Sequence, residues 1–113
     1  MIGFDLQETK KVKNEDRLLE KIALESEIAY IKKFKGNIRE RTASLWAVKE
    51  AVFKAFDIHP GEISYKEVEL CHKENGAPFV KLHGKALQKF KDRKIEISIS
   101  HQKNVVGAVA VVE

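Results

Sequence analysis

An α+β fold is predicted by the order in which two hydrophobic patterns follow one another. Up to Phe56 the apolar residues recur at helical spacing. From Ile63 onward, short β-branched runs alternate in twos between turn residues. A strand-like opening, Ile2–Leu6, precedes both. With 113 residues, the chain is expected to be one domain with a modest core, and to gain from oligomerisation.

The elements follow in order. Ile2–Leu6 alternates Ile2, Phe4 and Leu6 with Gly3 and Asp5, so a strand here sends Asp5 to the face opposite its apolar neighbours. On that face Gly3 has no side chain to obstruct a ligand. Thr9 to Phe34 reads as mainly helical, with Asn14 as an N-cap and Glu15 and Asp16 in the first turn, where the helix dipole favours acids. Lys35-Gly36-Asn37 is a stop signal, and a second helix runs from about Arg39 to Phe56. Two strands, Ile63–Cys71 and Phe79–His83, flank Glu74-Asn75-Gly76-Ala77-Pro78, whose Asn-Gly step is a strong turn signal. Gly84–Lys91 reads as a short helix. Ile95–Ser100 alternates apolar and polar residues cleanly. His101-Gln102-Lys103-Asn104 then turns the chain into Val105–Val112, a strand of small and β-branched residues suited to a crowded interior position.

Composition narrows the function classes. Hydrophobic residues make up 43% and charged residues 34% of the chain, the balance of an ordinary globule. No apolar run approaches the ~20 residues that span a bilayer, and the N-terminus lacks the order of a secretory signal. One cysteine, Cys71, permits no internal disulfide, has no CxxC partner and reads as a strand residue. These features predict a cytoplasmic protein without a membrane partner. A net charge of +4 suggests an anionic partner, either phosphate-bearing or an acidic protein.

Two carboxylates stand in unusual company. Asp5 lies in the apolar opening segment, and Glu50 lies in the middle of ASLWAVKEAVFKAF, Ala43–Phe56. A buried carboxylate must be paired, neutralised or metal-bound. Lys54 sits one turn beyond Glu50, beside an i, i+4 stripe of Ala43, Ala47, Ala51 and Ala55 that lets a backbone or a ligand approach closely. An exposed Glu–Lys pair at this spacing contributes only about 0.3–0.5 kcal/mol, but this helix has little other polar surface, which favours a functional placement. Mg²⁺ binds one or two carboxylates and completes its octahedron with water and phosphate oxygens, so Asp5 with Glu50 matches such a site if the fold joins them. The histidines lack metal-ligand spacing, and no GxxxxGK[ST] or GxGxxG loop is present. Lys10, Lys13, Arg17 and Lys21 fall on one face if their stretch is helical throughout, a surface for an acidic helix or a nucleic-acid backbone. The alternative reading, a basic nucleic-acid-binding α+β module, lacks an RNP-like strand, zinc spacing or a GxxG junction.

Four segments together resemble the holo-[acyl-carrier-protein] synthase family of small phosphopantetheinyl transferases. Ile2-Gly3-Phe4-Asp5-Leu6 is similar to the opening G-x-D-[IL] strand. WAVKEAVFKAF, Trp46–Phe56, resembles the signature [FW]-x-x-K-E-A-x-x-K-A. Asn75-Gly76-Ala77-Pro78 resembles the N-G-x-P turn, and Ser98-Ile99-Ser100-His101 the S-[IL]-[ST]-H end. The resemblance implies a phosphopantetheinyl transferase-like fold and a homotrimer. It implies Mg²⁺-dependent transfer of 4′-phosphopantetheine from coenzyme A to a serine of apo-acyl carrier protein, with release of 3′,5′-ADP, in fatty acid biosynthesis. It further implies Asp5 and Glu50 as metal ligands, Glu50 and Lys54 as catalytic residues, and coenzyme A contacts at Lys54, Lys49, His101, Gly76 and Pro78. Carrier-protein docking falls to Lys11, Arg17 and Lys21. Two departures stand out: Leu45 where the family often has arginine, and Asp57-Ile58-His59-Pro60 in place of a glycine-rich step. Both positions serve the nucleotide end of coenzyme A in the family, so that half of the site is expected to differ, with Arg41, His59 and Lys103 available.

Overall fold

A computed structural model describes residues 1–113. Strand β1 (Ile2–Glu8) opens the chain, and a short 3-10 turn (Thr9–Lys11) follows it. Helices α1 (Glu15–Ile22), α2 (Glu25–Lys32) and α3 (Ile38–Phe56) come next. A second 3-10 turn (Tyr65–Glu67), strands β2 (Val68–His72) and β3 (Pro78–Leu82), helix α4 (Gly84–Phe90), and strands β4 (Ile95–Gln102) and β5 (Val105–Val112) complete an α+β fold. The strands form two antiparallel sheets, a three-stranded one in the order β1-β5-β4 and the hairpin β2-β3, with β3 beside β4.

The helical segment after β1 is interrupted twice. Asn14 caps α1 by accepting from the Arg17 N–H at 3.0 Å, and extended backbone at Ala23 and Leu24 separates α1 from α2. Lys10 and Lys13 lie outside both helices, so the continuous basic arc expected from the sequence breaks into Arg17 and Lys21 on α1 with Lys10 and Lys11 beside Glu8. Gly36 and Asn37 adopt positive φ (74° and 56°), reversing the chain into α3. The strand expected from Ile63 begins only at Val68. Ser64 and Glu67 form a capping box around the 3-10 turn instead, and that side-chain chemistry outcompetes the ladder. His101 belongs to β4, paired with Val106, and the hairpin turn is Lys103-Asn104 alone.

Helix α3 lies against the inner face of the three-stranded sheet, and its alanine stripe is what makes the contact this close. Ala43, Ala47, Ala51 and Ala55 are buried, facing β1 and the small residues Ala108 and Ala110 of β5. A Cβ on Gly3 would stand 2.0 Å from the Ala51 carbonyl oxygen and 2.5 Å from the Ala55 nitrogen. The space beside Gly3 is therefore filled by helix backbone, not left for a ligand as its missing side chain suggested. A second, smaller cluster of Leu19, Ile22, Ala23, Ile31 and Leu45 ties α1 and α2 to the first half of α3. The outer face of the sheet is apolar and uncovered in the single chain. Ile2 is 69%, Phe4 56% and Leu6 59% exposed, with Val105 and Val111 beside them.

Candidate active-site cleft

The inner face of β1 brings Asp5 to Lys54, which lines one cleft with Glu50 on the second half of α3. Alternation along β1 turns Asp5 inward with Gly3, paired across the sheet with Ala108. Because Gly3 lets α3 approach, Asp5 reaches the helix. Its Oδ1 accepts a hydrogen bond from Lys54 Nζ at 2.9 Å, and its Oδ2 accepts one from Gln7 Nε2 at 2.7 Å. Lys54 also donates to the Phe4 carbonyl at 3.1 Å. Asp5 is only 8% exposed while the Lys54 side chain is 54% exposed, so the carboxylate is fixed and its cation is movable.

Glu50, one turn before Lys54, does not pair with it. Its Oε1 accepts a 2.6 Å hydrogen bond from the Tyr65 hydroxyl, the length expected of O–H donated to a carboxylate. Burial, followed by the hydrogen bond to Glu50 and the charges of Glu50 and Asp5, pushes the Tyr65 phenol well above its ordinary pKa, so it stays a donor. Its ring stacks on Phe53 with centroids 4.7 Å apart and leans on Trp46 at 5.2 Å. Glu50, Phe53, Lys54, Asp57, Ile58, Pro60 and Tyr65 line a cleft of about 250 Å³. Sites for drug-sized ligands run from about 300 to 1,000 Å³, so this cleft admits the reacting end of a larger molecule.

The donor set suits a hard cation that takes most of its shell from elsewhere. Nowhere does the chain gather three or more His, Cys, Asp or Glu side chains fit to hold a metal, as a closed structural site would require. Asp5 and Glu50 would be the one or two carboxylates that Mg²⁺ uses alongside water and phosphate oxygens. A cationic group, the Lys54 ammonium, already rests on Asp5.

Other expected site residues lie apart from this cleft. Lys49 is the clearest correction. Expected at the coenzyme, it is wholly buried, and its Nζ donates to Glu27 Oε1 at 2.9 Å and to the Tyr65 and Val68 carbonyls at 2.9 and 2.7 Å. Burial pushes its pKa down and the Glu27 carboxylate pulls against that. Lys49 precedes Glu50 directly, and neighbours on a helix point about 100° apart, so one meets the core and the other the cleft. His101 lies on β4, its Nδ1 3.5 Å from Glu40 Oε1 near the start of α3. Ten residues of helix, about 15 Å, separate Glu40 from Glu50. His101 instead lines a separate pocket of about 270 Å³ with Tyr30, Arg41, Ser44 and His72. Gly76 and Pro78 sit at the β2–β3 turn, outside the lining of the Glu50 cleft. Lys11, Arg17 and Lys21 are exposed.

The departures acquire reasons. Leu45 is 1% exposed and packs in the cluster of α1, α2 and α3, forming an apolar part of the wall of the His101 pocket. Asp57 ends α3 in the left-handed conformation (φ 57°), and Ile58 packs into the core, so the loop is held by burial where a glycine-rich step is not. Arg41 lies over the Phe34 ring at 4.4 Å and donates to the Gly36 carbonyl. Cys71 is half-buried and its thiol is pushed up by burial, away from thiolate reactivity. The residue that the sequence reading missed is Tyr65. The Ser64-x-x-Glu67 capping signature was its only trace, because a strand reading gave it no special place.

A family model for the 4′-phosphopantetheinyl transferase superfamily matches residues 1–110. The chain is 36% identical over 119 residues to the holo-[acyl-carrier-protein] synthase of Caldicellulosiruptor bescii, covering 99% of this chain and 96% of that one. Its structure matches the crystal structure of Helicobacter pylori holo-[acyl-carrier-protein] synthase in complex with coenzyme A with a TM-score of 0.86, at 28% identity and with 100% of both chains covered. The Bacillus anthracis holo-(acyl-carrier-protein) synthase in complex with CoA (3′,5′-ADP) gives a TM-score of 0.84 at 29% identity, covering 98% of this chain and 93% of that one.

Proposed function

This chain belongs to the 4′-phosphopantetheinyl transferase superfamily, and from that premise we propose that it is a holo-[acyl-carrier-protein] synthase. It transfers the 4′-phosphopantetheine arm of coenzyme A to a serine of apo-acyl carrier protein. The observation that carries this reading is the placement of Glu50 and Lys54 on one cleft, with Asp5 hydrogen-bonded to Lys54, in a fold shared with relatives named for this activity and bound to coenzyme A. The whole chain acts as one transferase domain, and its place is the cytoplasm, serving fatty acid biosynthesis.

In the proposed reaction the serine Oγ attacks the β-phosphorus of the coenzyme A pyrophosphate. The new Oγ–P bond forms as the bond to the bridging oxygen breaks, and 3′,5′-ADP leaves with the electron pair. Of the four oxygens on Asp5 and Glu50, three already accept hydrogen bonds, and Glu50 Oε2 is without a protein donor. That oxygen accepts the serine proton, directly or through a water. The Lys54 ammonium is exposed enough to move from Asp5 toward the leaving phosphate and offset its growing charge. Asp5 and Glu50 would hold Mg²⁺, which when bound neutralises the pyrophosphate.

The small cleft and the distance of His101 from it support an assembly in which one subunit's cleft meets another's nucleotide-binding surface. The uncovered apolar face of Ile2, Phe4 and Leu6 is suited to burial between copies, and we read it as the contact of a homotrimer. Arg17 and Lys21, with Lys11 nearby, offer positive charge to an acidic carrier protein.

The test is the intact mass of purified apo-acyl carrier protein incubated with this protein, coenzyme A and Mg²⁺. A gain equal to one phosphopantetheine group, lost when coenzyme A is omitted, is expected. An unchanged mass under saturating conditions refutes the reading.

A further inference from the structure

We propose that Tyr65 is a positioning residue that holds Glu50 away from Lys54, keeping one carboxylate oxygen fixed and the other presented to the cleft. The inference rests on the transferase reading above for its function but on contacts of this chain for its geometry. Glu50 and Lys54 are four residues apart on α3, the spacing at which glutamate and lysine ordinarily pair. Here they do not. Lys54 is drawn to Asp5 at 2.9 Å, and Glu50 is taken by the Tyr65 hydroxyl at 2.6 Å.

Tyr65 is held by three residues of the helix that carries Glu50. Phe53 stacks on its ring, Trp46 leans against it, and the buried Lys49 ammonium grips its backbone carbonyl. Lys49, Glu50 and Phe53 are within four residues of one another, so donor and acceptor share one rigid frame. Lys49 thereby gains a role once removed from the chemistry, because it fastens the segment that fastens Glu50.

The charge arrangement gives this contact a purpose. Asp5 is balanced by Lys54, whereas Glu50 meets a neutral donor and keeps its full negative charge, leaving the three groups together at −1. A cation is then attracted to the Glu50 side of the cleft, and Lys54 is spared for phosphate. Without the hydroxyl, Glu50 is free to swing onto Lys54 and close that arrangement. Hydrogen-bond partners that orient a metal-ligating carboxylate typically affect metal affinity or activity by about 10–100-fold.

Tyr65→Phe keeps the stacked ring and removes only the hydroxyl. Two measurements test it: Mn²⁺ binding followed by the free-ion electron paramagnetic resonance signal, and a double-mutant cycle in kcat with Glu50→Gln. Tyr65→Phe is expected to weaken Mn²⁺ binding and lower kcat by about tenfold or more, with KM for the carrier protein unchanged. In the Glu50→Gln background the same change is expected to have no further effect on either quantity, since it acts through Glu50. Wild-type Mn²⁺ affinity and kcat in Tyr65→Phe overturn the proposal, as does an equal loss with and without Glu50. A wild-type protein that binds Mn²⁺ but leaves apo-acyl carrier protein unmodified sinks the transferase reading instead, and the Mn²⁺ titration alone then decides the role of Tyr65.

Discussion

Replacing Lys49 by methionine removes one buried ammonium while keeping an unbranched side chain of similar length. In the native chain that ammonium bonds Glu27 and the carbonyls of Tyr65 and Val68, all within 2.9 Å, with no exposure to water. The substitution leaves Glu27 with the Leu24 and Leu70 N–H donors but without its cation, and deprives both carbonyls of that donor. Removing one partner of a buried ion pair costs about 3–5 kcal/mol. With unfolding entropy near 2.1 cal/mol/K per residue, 113 residues convert this into a Tm loss of about 13–21 °C. The assay is thermal unfolding by circular dichroism at fixed protein concentration, comparing the single variant with Lys49→Met/Glu27→Gln. The second change removes the uncompensated charge, so it should recover part of the loss. At a temperature where Lys49→Met remains folded, turnover should still be reduced, because the Tyr65 carbonyl has been released. A Tm loss under about 4 °C, roughly 1 kcal/mol by the same conversion, would refute the argument that this ammonium fastens α2 and the Tyr65 turn to α3.

Gly3→Ala should abolish cooperative folding, visible as loss of near-ultraviolet dichroism, because the new Cβ meets helix backbone at 2.0 and 2.5 Å and no rotamer change relieves it. The cost should exceed the roughly 1–3 kcal/mol of ordinary overpacking. His72 stacks on Tyr30 at 3.9 Å, and burial, then the charge of Lys33, hold its pKa below 6.5. The unfolded chain therefore takes the proton first on acidification, so this contribution is full above pH 6.5 and is lost as pH falls toward the folded pKa. His72→Phe keeps the stack, and its Tm should fall less than the native protein's between about pH 7.5 and 5. Arg17→Glu should raise KM for the acidic carrier protein while sparing that for coenzyme A, and added salt should weaken the native enzyme more than the variant. A selective rise in the coenzyme A KM would place that surface at the nucleotide instead.

Local chemistry was enough to reveal most of the elements. The alternation of Ile2 to Leu6, the Asn14 cap, the Asn75-Gly76 turn and the alternating β4 are each set by residues within a few positions of one another, so they are legible in the chain itself. That Asp5 and Glu50 each stand as a charge in an apolar setting was legible too, because that conflict is written locally. Where the periodicity read through a boundary, a short-range competitor had won. Ser64 and Glu67 capped a turn where β-propensity promised a strand, and extended backbone at Ala23 and Leu24 split a helix that composition would have continued.

What the sequence by itself determined was the α+β class and the conflict of two carboxylates, Asp5 and Glu50, set in apolar segments. Tertiary structure decided which residues meet. Gly3 belongs to the fold because the backbone of a helix at Ala51, forty-eight residues further along the chain, settles against it. Lys49 and Glu50 are adjacent in sequence, yet one is consumed by Glu27 on α2 and the other by Tyr65 after α3. Lys54 chose Asp5, forty-nine residues distant, over the glutamate one turn away. Burial energies and hydrogen bonds across such separations depend on where the chain brings its faces together, and no pattern within a single segment contains that information.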